Sequence, residues 1–297
     1  MDTYWIWFSR INKIGARIQN ELLNKYKTPK NIYKLTKEKL QKNEFLDKQK
    51  IEIILDNNYR KNLKSFEEYM KKNSINMITI QDDIYPQKLR NIYDPPIALY
   101  VKGNSQILNN ESIAIIGSRN CSKYGSKIAE KFAYNLSNEN ITIISGLANG
   151  VDKNAHIGAV KSLNGTIAVI GNGLDNIYPF ENQNLAENII KKGGVIVSEY
   201  IIGTKPEKLN FPARNRIISG LSDGVLVVEA TEKSGTYITV DFALEQGKNV
   251  YAIPGNIDIS TSKRDKWINK TRCENCDDRT RHFKRFFLNF IIICNII

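Results

Sequence analysis

From Ser112 onward the chain alternates between short runs of β-branched residues and segments of helical length. The runs read IAIIG, ITIISG, TIAVIG, GVIVSE, GVLVVEA and NVYAIPG. Apolar residues follow one another in them with little alternation, the pattern of strands buried on both faces of a parallel sheet. Each run ends in glycine or a polar turn and is followed by an amphipathic stretch, which predicts helices over about 121–138, 151–163, 183–192, 211–221 and 234–246. The fold class expected is α/β, with a Rossmann-like parallel sheet. Residues 1–80 have a different texture. Ile, Leu and Tyr recur at three- and four-residue spacings in IGARIQNELLNKYKTPKNIYKLTKEKL, and Ile14-Gly15 and Thr28-Pro29 punctuate it, so a small all-helical domain of short helices is expected there. Between the two lies DDIYPQKLRNIYDPPIALYVKGN, where Pro95 and Pro96 impose extended backbone. The division expected is a helical domain over 1–80, a Rossmann-like domain over 81–263 and an atypical tail over 264–297.

Charge narrows the partner. The 297 residues carry 43 Lys and Arg against 31 Asp and Glu, a net charge of +12, which favours a polyanion such as nucleic acid. A solvated lysine face on the helical domain is the plainer reading of part of that excess. The opening MDTYWIWFSRINKIG lacks the basic stretch and small-residue cleavage pattern of a signal peptide. No apolar run before the last dozen residues has the length of a membrane span, so a cytoplasmic protein is expected. Four cysteines in a chain of this length are no disulfide framework and fit a reducing compartment.

In an open parallel sheet, ligands bind where the carboxyl ends of strands meet the N-termini of the following helices, because unpaired N–H groups there favour anions. Gly117, Ser118 and Arg119 end the first such run, SGLANGVD the second, and Gly171-Asn172-Gly173 the third. The element FPARNRIISG adds Phe211, Arg214, Asn215 and Arg216, and Ser234, Gly235 and Thr236 begin a further helix. Together these predict a phosphate- or nucleotide-binding crevice in which arginine forks meet phosphate. Glu199, Glu229 or Glu232 could instead pair with the two arginines of FPARNR in a structural network. Neither Gly-x-Gly-x-x-Gly nor a Walker lysine is present. His156, the one histidine of this region, has no nucleophile or orienting acid at recognisable spacing, which makes it a packed helix residue. Asp152, Asp175 and Glu199 follow no metal-binding pattern. No catalytic set, no metal and no cofactor are expected.

The segments YPQKLRNIYDPPIALYVKG, GSRNCSKYG, SGLANGVDKNAHIGAV, TIAVIGNGLDNIYPFEN, FPARNRIISGLSDGVLVVEATEKSGTYIT and ALEQGKNVYAIPG, in this order, resemble the DNA-processing protein A family, DprA/Smf. The resemblance covers about 80–263. The helical part is similar, more loosely, to the sterile-alpha-motif or helix-hairpin-helix domain that precedes the Rossmann-like domain in many members. What the resemblance implies is a cytoplasmic protein without enzymatic turnover that binds single-stranded DNA in natural transformation, protects it and assists loading of the RecA recombinase, as a homodimer. It places DNA contacts on Gly117, Ser118 and Arg119 and on Phe211, Arg214, Asn215 and Arg216, with Phe211 either stacked on a base or part of the core. A nucleotide- or nucleotide-sugar-dependent enzyme of the same fold is the alternative. For the homodimer, the apolar excess of Tyr237, Val240, Phe242 and Leu244 offers a face.

After AIPGNIDISTSK the chain leaves the family pattern and reads RDKWINKTRCENCDDRTRHFKRFFLNFIIICNII. Deleting one A from AAA AGG GAC AAA TGG ATT AAT AAA, a possible coding of Lys263 to Lys270, restores the family's Lys-Gly-Thr-Asn-Gly-Leu-Ile. The tail is therefore expected to be a frameshift product. On that reading the Cys273-x-x-Cys276 pair and the apolar FFLNFIIICNII carry no metal or membrane function.

Overall fold

The computed structural model describes residues 2–162, 164–230 and 235–253. The helical part comprises α1 (Thr3–Arg10), α2 (Ala16–Tyr26), α3 (Pro29–Tyr33), α4 (Lys37–Gln41), α5 (Lys48–Leu55) and α6 (Leu63–Lys72). Both punctuation marks in the sequence act as read. Gly15 precedes α2 at φ 85°, and Thr28 caps α3 by accepting the Asn31 N–H at 3.2 Å, with Pro29 in its first turn. Trp7, Phe8, Ile11, Leu22, Ile32, Leu40 and Ile54 are wholly buried and give this part a core of its own.

The sheet begins earlier than expected. Strand β1 (Asn76–Thr79) pairs antiparallel with β2 (Ala98–Gly103), and β2 pairs antiparallel with a later strand. The residues read as the end of the helical part and as an entry segment thus form an edge of the sheet, with α7 (Gln87–Arg90) between them. The remaining elements are β3 (Ser112–Ile116), α8 (Lys123–Asn138), β4 (Thr142–Ser145), α9 (Val151–Ala159), β5 (Thr166–Val169), α10 (Gln183–Lys191), β6 (Val195–Ser198), α11 (Asn210–Leu221), β7 (Gly224–Val227), α12 (Thr236–Glu245) and β8 (Asn249–Ala252). Their order in the eight-stranded sheet is β1-β2-β6-β5-β4-β3-β7-β8, with β6 through β8 parallel throughout. The fold is Rossmann-like, as expected, with a mixed edge.

Both sheet faces are covered, which is why the strand runs are mainly apolar, with buried Ser and Thr confined to their ends. Ala114, Ile116, Ile144, Ile167, Val169, Val195, Val197 and Val225 pack under α7, α11 and α12. On the opposite face Ile113, Ile115 and Ile143 meet Phe132, Ala133, Leu136, Val151 and Ala155 of α8 and α9. Further along that face Ile196 and Ala168 meet Ile189 of α10, together with Ile6 and Met70 of the helical part. Strand order reverses between β3 and β7, which places a crevice at the carboxyl ends of the parallel strands.

Candidate nucleic-acid interface

The first helix N-terminus at this crevice is already filled. Ser122 caps α8, its Oγ accepting from Gly125 N–H at 3.0 Å, and the Glu229 carboxylate at the end of β7 accepts both the Ser122 N–H (3.0 Å) and its hydroxyl (2.9 Å). A carboxylate therefore holds the position where a mononucleotide phosphate sits in an ordinary Rossmann domain. Glu229 meets neither arginine of FPARNR. Gly117 likewise serves the protein's own packing: a Cβ there would lie 2.6 Å from Val151 Cγ2 and 2.8 Å from the Glu229 carbonyl. Ser118 is buried and builds the turn. Its N–H donates to the Glu229 carbonyl at 2.6 Å, its carbonyl accepts from Val151 N–H, and its Oγ accepts from Asn120 N–H at 3.2 Å.

Arg119, next along this turn, is different: it is exposed and has no ion pair among the described residues. Its Cζ lies 5.6 Å from the centroid of the half-buried Phe211 ring at the start of α11. The ring rests over Gly171, beyond the end of β5, and its other neighbour is Tyr178, at a centroid distance of 5.6 Å and a tilt of 40°. The structure thus brings the turns after β3 and β5 and the head of α11 into one feature, a free guanidinium and two aromatic rings side by side. Phe211 belongs to this crevice and to none of the apolar core clusters. Tyr178 was absent from the expected set. Its signal was the aromatic-rich NIYPF following the third strand end, a place where an apolar ring has no core to fill.

The other two arginines are corrections to the expectation. Arg214 is 4% exposed and threads under the strand ends, where its Nη1 donates to the Gly146 carbonyl at 2.7 Å and to the Val169 carbonyl, while its Nε donates to Asn215 Oδ1 at 3.2 Å. Gly146 is small for this reason, since a Cβ would lie 2.7 Å from both Arg214 Nη1 and Asp152 Oδ2. Burial pulls the Arg214 pKa down to about 10, with Asp152 opposing the shift. Burial also raises Asp152, against the pull of Arg214. Arg216 faces the entry segment instead of the crevice. Its Nη2 donates to Glu199 Oε1 at 3.0 Å and its Nε to Asp94 Oδ2 at 2.9 Å. Burial works against this charge, and Glu199 and Asp94 outweigh it, holding the pKa above the ordinary arginine value. Two carboxylates consume its fork, so Arg216 is a strut between α11, the Glu199 turn and residue 94.

Asn172 is fully buried. Its Nδ2 donates to the Gly173 carbonyl at 3.0 Å and to the Asn176 carbonyl, which folds the loop after β5, while its Oδ1 is buried without a hydrogen-bond partner among the described residues. Gly235 is exposed at the head of α12 and Thr236 is buried behind it. Ser234 lies outside the described residues, as do Cys273, Cys276 and the whole expected tail. His156 is fully buried on α9. Thr166 Oγ1 spends its hydrogen on the Ile143 carbonyl (2.6 Å), so it accepts from His156 Nδ1 at 3.0 Å, which assigns the proton of the neutral ring to Nδ1. Burial, with the Arg214 charge nearby, lowers its pKa to about 3. A base so weak stays neutral and structural. The three carboxylates weighed as metal ligands hold separate posts: Asp152 accepts from Gly146 N–H (3.2 Å), Asp175 from Gly203 N–H (2.9 Å), and Glu199 from Arg216. Among the described residues no helix is long and apolar enough to cross a membrane.

The positive charge is not where the crevice is. Residues 1–80 hold 17 Lys and Arg against 9 Asp and Glu, residues 81–253 hold 17 of each, and residues 254–297 hold 9 against 5. The sheet domain is therefore neutral overall, and Arg119 is a local charge in a balanced field. Between Lys25 and Lys42, Lys25, Lys27, Lys30, Lys34, Lys37, Lys39 and Lys42 are all exposed, with Glu38 the one acidic residue in that stretch.

Comparison with known proteins agrees with this architecture. The chain is 49% identical over 179 residues to the DNA processing protein DprA of Streptococcus pneumoniae, an alignment that takes in 60% of this chain and 63% of that protein. Over 211 residues it is 41% identical to the protein Smf of Escherichia coli, covering 71% of this chain and 56% of its relative. The chain thus spans less than two thirds of the length of these relatives. Among solved structures, a DprA from Helicobacter pylori, described for its single-stranded DNA binding mode, superposes with a TM-score of 0.60 at 30% identity, over 66% of this chain and 87% of that one. The family model of the DNA recombination-mediator protein A matches residues 76–280, which includes every described strand of the sheet and both sides of the crevice, and the chain belongs to that family.

Proposed function

We propose that the chain binds single-stranded DNA at the Arg119–Phe211 crevice and acts without turnover in the uptake of DNA by natural transformation, protecting the incoming strand and assisting its transfer to the RecA recombinase. One observation carries the reading: Arg119 is exposed and free of any carboxylate among the described residues, and it stands beside an accessible aromatic ring. A guanidinium for phosphate next to a ring for a base is the pairing that a single strand presents and a stacked duplex does not. The occupied N-terminus of α8 argues against the alternative of a nucleotide-dependent enzyme, because it removes the usual phosphate seat. Membership of the family, and the description of the Helicobacter pylori relative, support the choice of single-stranded DNA. The transfer to RecA, the homodimer and the cytoplasmic setting rest on the family alone. Of the residues expected to offer a homodimer face, Val240 is buried in the core, Tyr237 and Leu244 pack against it, and Phe242 is half-buried outside the core clusters at the β8 end of the described sheet.

Competition separates the readings. A labelled single strand bound to the full chain is expected to be displaced by the same strand unlabelled, and poorly by its duplex or by free nucleotides. Displacement by mononucleotides at comparable concentration would overturn the proposal in favour of the nucleotide enzyme.

A further inference from the structure

Helix α8 is the longest of the described helices, and it starts in the turn that holds Arg119. On either side of Arg119, Ser118 and Ser122 are fixed by hydrogen bonds to the Glu229 carbonyl and carboxylate. The buried side of α8 is Ile128, Ala129, Phe132, Ala133 and Leu136, which pack on the sheet. At about 100° per residue, Lys123, Tyr124, Lys127, Lys131 and Tyr134 fall within an arc of about 100° on the opposite side, over a rise of about 16 Å. All five are exposed, Tyr124 at 52% and Tyr134 at 41%. The regularity of a single helix therefore sets three lysines and two rings on one solvent-facing stripe.

This stripe is charged against the helix's own preference. Lys123 stands in the first turn, at the positive end of the macrodipole, with no acidic residue beside it. Lys127 and Lys131 follow at i+4 and i+8, a spacing at which like charges destabilise a helix. The only carboxylate within α8, Glu130, is held by Lys161 from beyond α9. None of the three stripe lysines forms an ion pair among the described residues. A surface made only for solubility intersperses both signs. Here three unpaired cations alternate with two rings, in a sheet domain whose charges otherwise balance.

We propose that this face of α8 is a track for the same single strand beyond the Arg119–Phe211 crevice, with Lys123, Lys127 and Lys131 on its phosphates and Tyr124 and Tyr134 against its bases. The lysines rise about 6 Å per step, close to the spacing of consecutive phosphates along an extended strand. Charge complementarity and the rings together select the occupant. Cations interleaved with π-faces match a strand whose bases are free to stack, whereas an acidic protein segment offers no flat groups to the tyrosines. The inference rests on the single-strand reading of the crevice.

The test is filter binding by the full chain over a salt series, with oligothymidines of about four and about sixteen nucleotides, which bracket common single-strand sites. One variant combines Lys127→Gln with Lys131→Gln, and the other is Tyr134→Ala. All three side chains are exposed, and unchanged thermal midpoints confirm intact folding. On the long strand the double variant is expected to bind more weakly at low salt, with the slope of log K against log salt shallower by about 1.4, or 0.7 for each phosphate released. On the short strand, held by the crevice alone, it should match the parent. Tyr134→Ala should bind the long strand at least about fivefold more weakly, and an abasic strand of the same length as tightly as the parent does. A parent-like slope in the double variant on the long strand would overturn the track and leave the crevice standing. Equal losses on short and long strands would also overturn it, since a general field would then be the cause. Equal loss by Tyr134→Ala on thymidine and abasic strands would overturn base stacking there. Tighter binding of a duplex of the same length, lost in the double variant, would make duplex DNA the occupant and the proposal wrong. A parent that binds neither single strand would overturn the single-strand reading and this inference together.

Discussion

His156 should make this protein acid-sensitive. Its folded pKa of about 3 lies below the ordinary 6.5, because the ring is fully buried near the Arg214 charge. Between those values the unfolded chain binds a proton that the folded chain does not, so stability is fully present above about pH 6.5 and falls as pH drops towards 3. The linkage gives a loss of about 2 kcal/mol from this one residue between pH 8 and pH 5, and close to 5 kcal/mol below pH 3. Asp152 acts in the opposite sense, since its raised pKa makes the folded state the stronger proton binder over its own range. Comparison with a His156→Gln variant cancels that contribution. Glutamine does not titrate, so urea unfolding at fixed ionic strength should show the stability gap between parent and variant narrowing by about 2 kcal/mol from pH 8 to pH 5. Parallel stability curves for the two proteins over that range would refute the assignment of a neutral, buried ring.

Three further expectations follow from the same geometry. Arg216→Ala leaves two partly exposed carboxylates, Glu199 and Asp94, without their buried guanidinium and should cost about 3 kcal/mol of stability, the low end for a broken buried pair, whereas Arg119→Ala, at an exposed position, should stay within about 0.5 kcal/mol; thermal or urea unfolding reads both. Gly146→Ala places a methyl group 2.7 Å from Arg214 Nη1 and Asp152 Oδ2 and should lower both stability and DNA affinity, and an unchanged unfolding midpoint would show that Arg214 yields freely. Replacing Lys30, Lys34 and Lys37 with glutamine should slow association with DNA in stopped-flow at low ionic strength, with the rates converging at high salt, because the helical part supplies the long-range field of the described residues.

The sheet was legible because strands buried on both faces keep polar residues at their ends, as Ser112, Thr142, Ser145, Thr166 and Ser198 do, and leave the centres apolar. The helices followed: those expected at 121–138, 183–192, 211–221 and 234–246 begin and end within two residues of α8, α10, α11 and α12, and α9 stops early at Ala159, ahead of a turn that reaches φ 68° at Gly165. What the sequence concealed was tertiary. Glu229 caps α8 from 107 residues away, and Asp94 meets Arg216 across 122. No local spacing distinguishes an arginine that faces solvent, such as Arg119, from one consumed by carboxylates, such as Arg216. The antiparallel pair β1 and β2 escaped because prolines and turn residues between them read as a linker. In the crevice, Arg119 and Phe211 were anticipated from strand ends and from the family likeness. Tyr178 needed the fold, which alone sets it against Phe211.

The most direct measurement of the central claim is filter binding of an oligothymidine over a salt series to the parent, Arg119→Ala and Phe211→Ala. If Arg119 neutralises one phosphate of a single strand, its removal should weaken binding and make the slope of log K against log salt shallower by about 0.7. Phe211→Ala should weaken binding by about 1–3 kcal/mol with the slope unchanged, because a stacked base releases no counterion. Parent-like affinity and slope in Arg119→Ala would contradict the account, whatever the other variants show.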